Sequence, residues 1–245
     1  MTSLVSDIRG TFVPDPGGRH GPLPPLLIGL TLVTGLVDAF SYLLLGHVFV
    51  ANMTGNVVFL GFALAGAPGF SITASLVALA AFAAGALLGG LLATRHGAHR
   101  ARLFSVATSV QALFLTAAAI LAALSGSPLG GGVRYALIVV LGISMGLQNA
   151  AARRLAVPDL TTTVLTLTIT GVAADGALAG GAGSRSGRRL TAVATMLAGA
   201  LIGAVLIRHA QIWLPLVIAL AVALASAVAA YVSGKSDPPW VRAQA

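Results

Sequence analysis

Asp38 stands well inside the first long apolar stretch, among Thr34, Gly35, Ala39 and Tyr42. Thr34, Asp38 and Tyr42 recur every four residues, which sets them on one helical face. A carboxylate at membrane depth costs about 2.5–3.5 kcal/mol, so it must face the interior of a bundle and be protonated or paired. Two roles are open to it: coupling a proton or cation to solute movement, or a structural hydrogen bond into adjacent non-helical chain. The run Asn52-Met53-Thr54-Gly55-Asn56 follows. Asn and Gly favour turns, and the apolar residues from Val57 to Ala65 then read as a helix. Its N-terminus would present free N–H groups to an anion or polar ligand; a plain cap inside a packed bundle is the alternative. Farther on come Gln148 and Asn149, then a threonine-rich segment with Thr162, Thr163 and Thr166, and Asp175 about two turns later. The alternation of Thr166, Thr168 and Thr170 with apolar residues is compatible with extended chain, although Thr also bonds back to its own helix.

The chain that must position these groups has 245 residues, 57% of them hydrophobic and only 8% charged, with a mean hydropathy of +0.97. Soluble domains carry about 25% charged residues. This composition excludes a soluble enzyme, a disordered chain and a nucleic-acid-binding domain. Glutamate is absent, so all carboxylate chemistry falls to six aspartates. There is no cysteine, which removes disulfides, thiol nucleophiles and thiolate metal sites. The expected class is an all-α polytopic membrane protein. No catalytic set, metal site or cofactor is expected.

A spanning helix needs about 20 apolar residues. Eight apolar segments fit, near 24–46, 48–66, 72–94, 103–124, 133–152, 160–183, 190–208 and 212–232. The second and sixth are poor spans, interrupted by the Asn/Gly run and by the threonines. Positive charge decides between topologies, because Lys and Arg concentrate in short cytoplasmic loops. Eight full spans split the fourteen basic residues eight to six. If segments two and six re-enter, only Arg134 and Arg208 lie outside and the other twelve lie inside. Six spans plus two re-entrant segments are therefore expected, with both termini cytoplasmic. Residues 1–22 and 233–245 read as polar cytoplasmic tails, and the first lacks the apolar core of a cleaved signal.

Residues 23–125 and 133–232 read as two membrane repeats. Ala84-Gly85-Ala86-Leu87-Leu88-Gly89 matches Ala198-Gly199-Ala200-Leu201-Ile202-Gly203 at an offset of 114 residues. Gly35-Leu36-Val37-Asp38-Ala39 matches Gly146-Leu147-Gln148-Asn149-Ala150 at 111, which makes Asn149 the counterpart of Asp38. Three spans per half require opposite insertion, hence an inverted 3+3 repeat with broken helices meeting near the midplane, as in many secondary transporters. The paired glycines are close-packing contacts that serve this repeat or a homodimer. Gln111 reads as an interhelical hydrogen bond, His47 as interfacial packing or a proton relay, and Trp213 and Tyr231 as interfacial anchors. Arg153 and Arg154 read as topology anchors. Arg185, Arg188 and Arg189 read as a contact to inner-leaflet lipid.

The stretch Gly35-Leu36-Val37-Asp38-Ala39, then Gly46 to Phe49 and Asn52-Met53-Thr54-Gly55-Asn56, resembles the YoaK-like bacterial membrane proteins. The stretch Gly146-Leu147-Gln148-Asn149-Ala150, with Arg153, Val157 to Leu160 and Thr161-Thr162-Thr163, is similar too. The resemblance covers about residues 26 to 230 and implies an inner-membrane protein without supplying a substrate. Three functions follow from the residues. A small secondary transporter or channel would use Asp38, Asn52, Thr54, Asn56, Gln148, Asn149, Thr162, Thr163, Thr166 and Asp175 as a midplane site for an unidentified solute or ion. A non-transporting scaffold would use the glycine faces to bind another membrane protein. An intramembrane enzyme is least favoured, because the context of Asp175 is Val172-Ala173-Ala174 and no serine-protease or zinc motif is present.

Overall fold

The computed structural model describes residues 4–15, 17–160, 162, 165–174 and 186–242, and among them the regular elements are helices. They are α1 (Leu4–Phe12), α2 (Leu23–Leu44), α3 (Met53–Leu64), α4 (Ile72–His96), α5 (Arg100–Ser125), α6 (Gly131–Leu155), α7 (Leu165–Ala174), α8 (Ser186–His209) and α9 (Leu214–Gly234). Six of these, α2, α4, α5, α6, α8 and α9, are long and apolar enough to cross a membrane. Each falls within a few residues of a predicted segment.

Local chemistry sets their ends. Pro24 and Pro25 occupy the first turn of α2, where the missing N–H has no intrahelical partner to lose. Ser71 caps α4 by accepting the Ala74 N–H at 3.2 Å. α6 stops at Ala156 in the left-handed conformation.

The 12 residues of α3 rise about 18 Å, against the roughly 30 Å of a hydrocarbon core. Gly46 and His47, both at positive φ, turn the chain back at the end of α2. His47 Nδ1 then donates to the Gly69 carbonyl at 3.0 Å, so the excursion through α3 begins and ends side by side. It does not cross. The 10-residue α7 is too short to span as well. It also makes Thr166, Thr168 and Thr170 helical, so the extended reading of that stretch does not hold.

The bundle is assembled from two parallel helix pairs. α4 lies along α6, with Gly85 against Ile143 and Gly89 against Leu147 and Ala150. α2 lies along α8, with Gly199 against Leu32 and Gly203 against Leu36 and Ala39. The two sets are equivalent residue by residue. Gly146 faces the carbonyl of Phe82 and the amide of Ala86; Gly35 faces the carbonyl of Met196 and the amide of Ala200. The same offsets of 111 and 114 residues that align the sequence exchange these contacts. The remaining interfaces exchange too: α5 packs on α6 as α9 packs on α2, and α3 packs on α4 as α7 packs on α8.

One buried arginine identifies which ends lie together. Arg100, 8% exposed, donates to the carbonyls of Arg19 (2.9 Å), Leu155 (2.8 Å) and Trp240 (3.4 Å), and lies 3.1 Å from His20 Nδ1. The start of α2, the start of α5, the end of α6 and the C-terminal segment therefore share one end of the bundle. α2 and α6 consequently run in opposite directions. Arg134 and Arg208 lie at the other end.

The two tails are more ordered than polar linkers. α1 packs on α8 and α2. Trp240 and Val241 are fully buried against Leu23, Leu27, Phe104 and Leu155. At the exposed rim, a hydrogen bond from Arg242 (2.7 Å) holds the Asp237 carboxyl below the usual carboxylate range.

Candidate functional site

Beyond Gly46-His47 the chain descends beside α2 without regular structure until Asn52, which precedes α3. A descending segment has no helical partners for its own N–H groups, and unsatisfied groups in lipid cost several kcal/mol each. Two side chains supply them. Asp38, 5% exposed, accepts the Ala51 N–H at 3.1 Å through Oδ1 and the Asn52 side-chain amide through Oδ2. Asn56, fully buried, accepts the Phe49 N–H at 2.8 Å and donates to the Phe49 carbonyl at 2.5 Å, replacing a missing backbone partner on both sides. Asn56 thus positions the loop, and its complete burial closes it to a ligand.

The second half repeats this with other residues. The chain leaves α6 at the opposite end of the bundle and descends through Leu160 to Thr162, which sits at positive φ and is 3% exposed. Gln148 holds it, donating to Thr162 Oγ1 at 3.1 Å and to Thr34 Oγ1 of α2 at 3.0 Å. Gln111 donates to Gln148 Oε1 at 2.6 Å, which ties in α5 as the sequence suggested. Gln111 Oε1 and Ser144 Oγ are buried here without a protein partner among the described residues. Asp159, also at positive φ, pairs with Arg189 at 2.8 Å. Arg189 is thereby held against a carboxylate of its own chain, with its side chain 16% exposed. Arg188 is half-buried, and Arg185 lies outside the described residues.

Thr34 and Asp38 are consecutive turns of one face of α2, about 6 Å apart along its axis. Two non-helical segments that enter from opposite ends of the bundle therefore converge on adjacent points of one helix. The sequence-derived set divides around this centre. Asp38, Asn52, Gln148 and Thr162 are brought to it, with Asn56 in support. Thr54 and Thr166 are exposed and point away. Asn149 is half-buried and donates to the Met145 carbonyl of its own helix at 2.9 Å. Thr163 and Asp175 lie outside the described residues.

Asp38 and Asn52 also line a cavity of about 560 Å³ between α2, α8 and the descending loop. Its other walls are apolar, among them Met196, Leu197 and Ala200 of α8, with Tyr42 and Phe49 at one side. Tyr42 stacks on Phe49 with centroids 5.0 Å apart. Phe59 and Phe62 of α3, with Phe70 just ahead of α4, extend the aromatic cluster. Nothing in the spacing of these phenylalanines marks them as a cluster, because chain reversal at Gly46-His47 is what gathers them.

Residues 26–230 match the family model described as "Protein of unknown function (DUF1275)". The UPF0700 transmembrane protein YoaK of Bacillus subtilis (strain 168) is 37% identical to this chain over 150 residues. The match covers 61% of this chain and 65% of that protein's length, just under two thirds. No solved structure matches the chain significantly.

Proposed function

We propose, from the premise that the chain belongs to the DUF1275 family, that this multi-pass membrane protein is a small secondary transporter or channel of the bacterial inner membrane. One observation carries this reading: two broken segments from opposite ends meet at Asp38–Asn52 and Thr34–Gln148–Thr162. Half-helices converging near the midplane are the arrangement in which transporters bind solute. The exchange of contacts at offsets of 111 and 114 residues, with α2 and α6 opposed, supports an inverted 3+3 repeat. Alternating access would then be a rocking of one half against the other around the Asp38 centre. Asp38 would couple movement to a proton or cation by being neutralised on one side and released on the other.

The test starts with a solute screen by thermal shift on purified protein, followed by uptake of each hit into proteoliposomes with and without a pH gradient. Asp38→Asn is expected to melt within a few degrees of wild type and to lose gradient-driven uptake. Normal coupled uptake by that variant would remove the coupling role.

Orientation is tested separately. The chain has no cysteine, and Ala98 is exposed between α4 and α5. An Ala98→Cys variant is expected to resist a membrane-impermeant maleimide in intact cells and to react after permeabilisation. This follows from the basic end facing the cytoplasm. Labelling in intact cells would invert the topology.

A further inference from the structure

We propose that the Asp38 cavity binds a hydrophobic organic cation: a ligand with a single positive charge, delocalised or on nitrogen, surrounded by its own apolar surface. This deepens the transporter reading and rests on it for its biological use, but not for the chemistry of binding.

The lining decides the charge. Among the described residues Asp38 is the one ionisable carboxylate of the cavity, and no Lys or Arg lines it. Asp38 Oδ1 and Oδ2 each accept one hydrogen bond from the descending loop, and a carboxylate oxygen has capacity for a second. An anion would meet like charge in apolar surroundings, where repulsion is weakly screened. A neutral solute fits only while Asp38 is protonated, since an ionised carboxylate without a counter-charge is costly at that depth. A cation removes both penalties.

The same lining decides against a bare metal ion. Hard cations of the calcium type take 6–8 oxygen ligands. The side chains that line the cavity supply at most the two Asp38 oxygens, the Asn52 amide and the Tyr42 phenol, and the rest are apolar. An ion that had to shed its water here would stay under-coordinated. An organic cation carries its own apolar shell, which Met196, Leu197 and Ala200 can cover. The aromatic rings of Tyr42 and Phe49 also belong to the lining, and aromatic rings attract positive charge. About 560 Å³ lies within the 300–1,000 Å³ range of drug-sized ligand sites.

The probe is tritiated tetraphenylphosphonium, with tetraphenylborate as a competitor of the same shape and opposite charge, on full-length protein in detergent. Saturable phosphonium binding is expected, with no competition by the borate. Asp38→Asn is expected to weaken it roughly tenfold or more, the scale at which removing one partner of a close charge pair registers. Leu197 lines the cavity and is 67% exposed, so Leu197→Trp adds bulk at its open side without entering the core. It is expected to weaken binding at an unchanged melting temperature, which keeps the test decisive if Asp38→Asn misfolds. Absence of saturable binding, equal competition by the borate, or wild-type affinity in a folded Asp38→Asn would each overturn the proposal. The transporter reading fails separately. Phosphonium binding without uptake in proteoliposomes upholds the cation site and removes transport. Gradient-driven uptake of another solute without phosphonium binding removes the cation site alone.

Discussion

Gly35→Ala and Gly146→Ala are each expected to destabilise the protein by about 1–3 kcal/mol, the range for forcing extra atoms into a packed interior. A Cβ on Gly35 would overlap the Met196 carbonyl, and a Cβ on Gly146 would overlap the Phe82 carbonyl. Backbone is what each new methyl meets, so no rotamer change relieves the clash and the helices themselves must separate. Separation is expensive in a bilayer, where lipid chains are as apolar as the core and helices associate through close packing instead of water exclusion. Gly90→Ala, on the face of α4 beside Gly89, is the control: a methyl there meets nothing within 4 Å, and Ala is the better helix former. The measurement is the melting temperature of each variant in one detergent. Gly35 and Gly146 occupy equivalent places at an offset of 111 residues, so the two losses should be similar. A large loss at one and none at the other would mean that the two halves do not share their packing.

These glycines also mark what a sequence can carry. The six spans were legible because lipid demands apolar length almost without regard to detail, and the glycine repeats because close approach permits no substitute. That the second segment is interrupted was legible, but not where: the non-helical chain ends at Asn52, and Met53 to Asn56, expected as a turn ahead of a helix from Val57, are the first turn of α3. The division of labour within that run was not legible either. Asn52 reaches Asp38 and Asn56 turns inward to Phe49, while Thr54, between them on the first turn of α3, faces outward. Helical phase decides this, and an uncertainty of one residue in the start of α3 rotates every assignment by about 100°. The same phase separates Gln148 from Asn149. Alignment of the repeats makes Asn149 the counterpart of Asp38, yet α6 turns Gln148 toward Thr34. The α8 wall of the cavity had no signal at all, because Met196 and Ala200 are ordinary residues of an apolar helix.

Arg100→Met is expected to destabilise the protein by about 3 kcal/mol, the combined scale of losing charged hydrogen bonds and leaving buried carbonyls unsatisfied. Methionine keeps the length and apolar stem of the side chain, so the loss reports the guanidinium. That group joins the carbonyls of Arg19, Leu155 and Trp240, which belong to the segment before α2, the end of α6 and the C-terminal tail. The Leu155 carbonyl lies in the last turn of α6 and has no intrahelical donor ahead of it. Arg100→Lys should recover only part of the stability, since an ammonium on one stem cannot span acceptors set out for a planar fork. A second readout separates this tie from general loss of packing. Trp240 is 1% exposed beside Phe104 and Leu23, so releasing its carbonyl should free the tail first. Cleavage after Lys235 by trypsin is therefore expected to accelerate in Arg100→Met below the temperature at which the bundle melts. Unchanged cleavage together with an unchanged melting temperature would mean that apolar burial of Trp240 and Val241 holds the tail without the arginine. By charge counting Arg100 is one of twelve basic residues that set topology; by its contacts it is the residue that fastens both ends of the chain to the bundle.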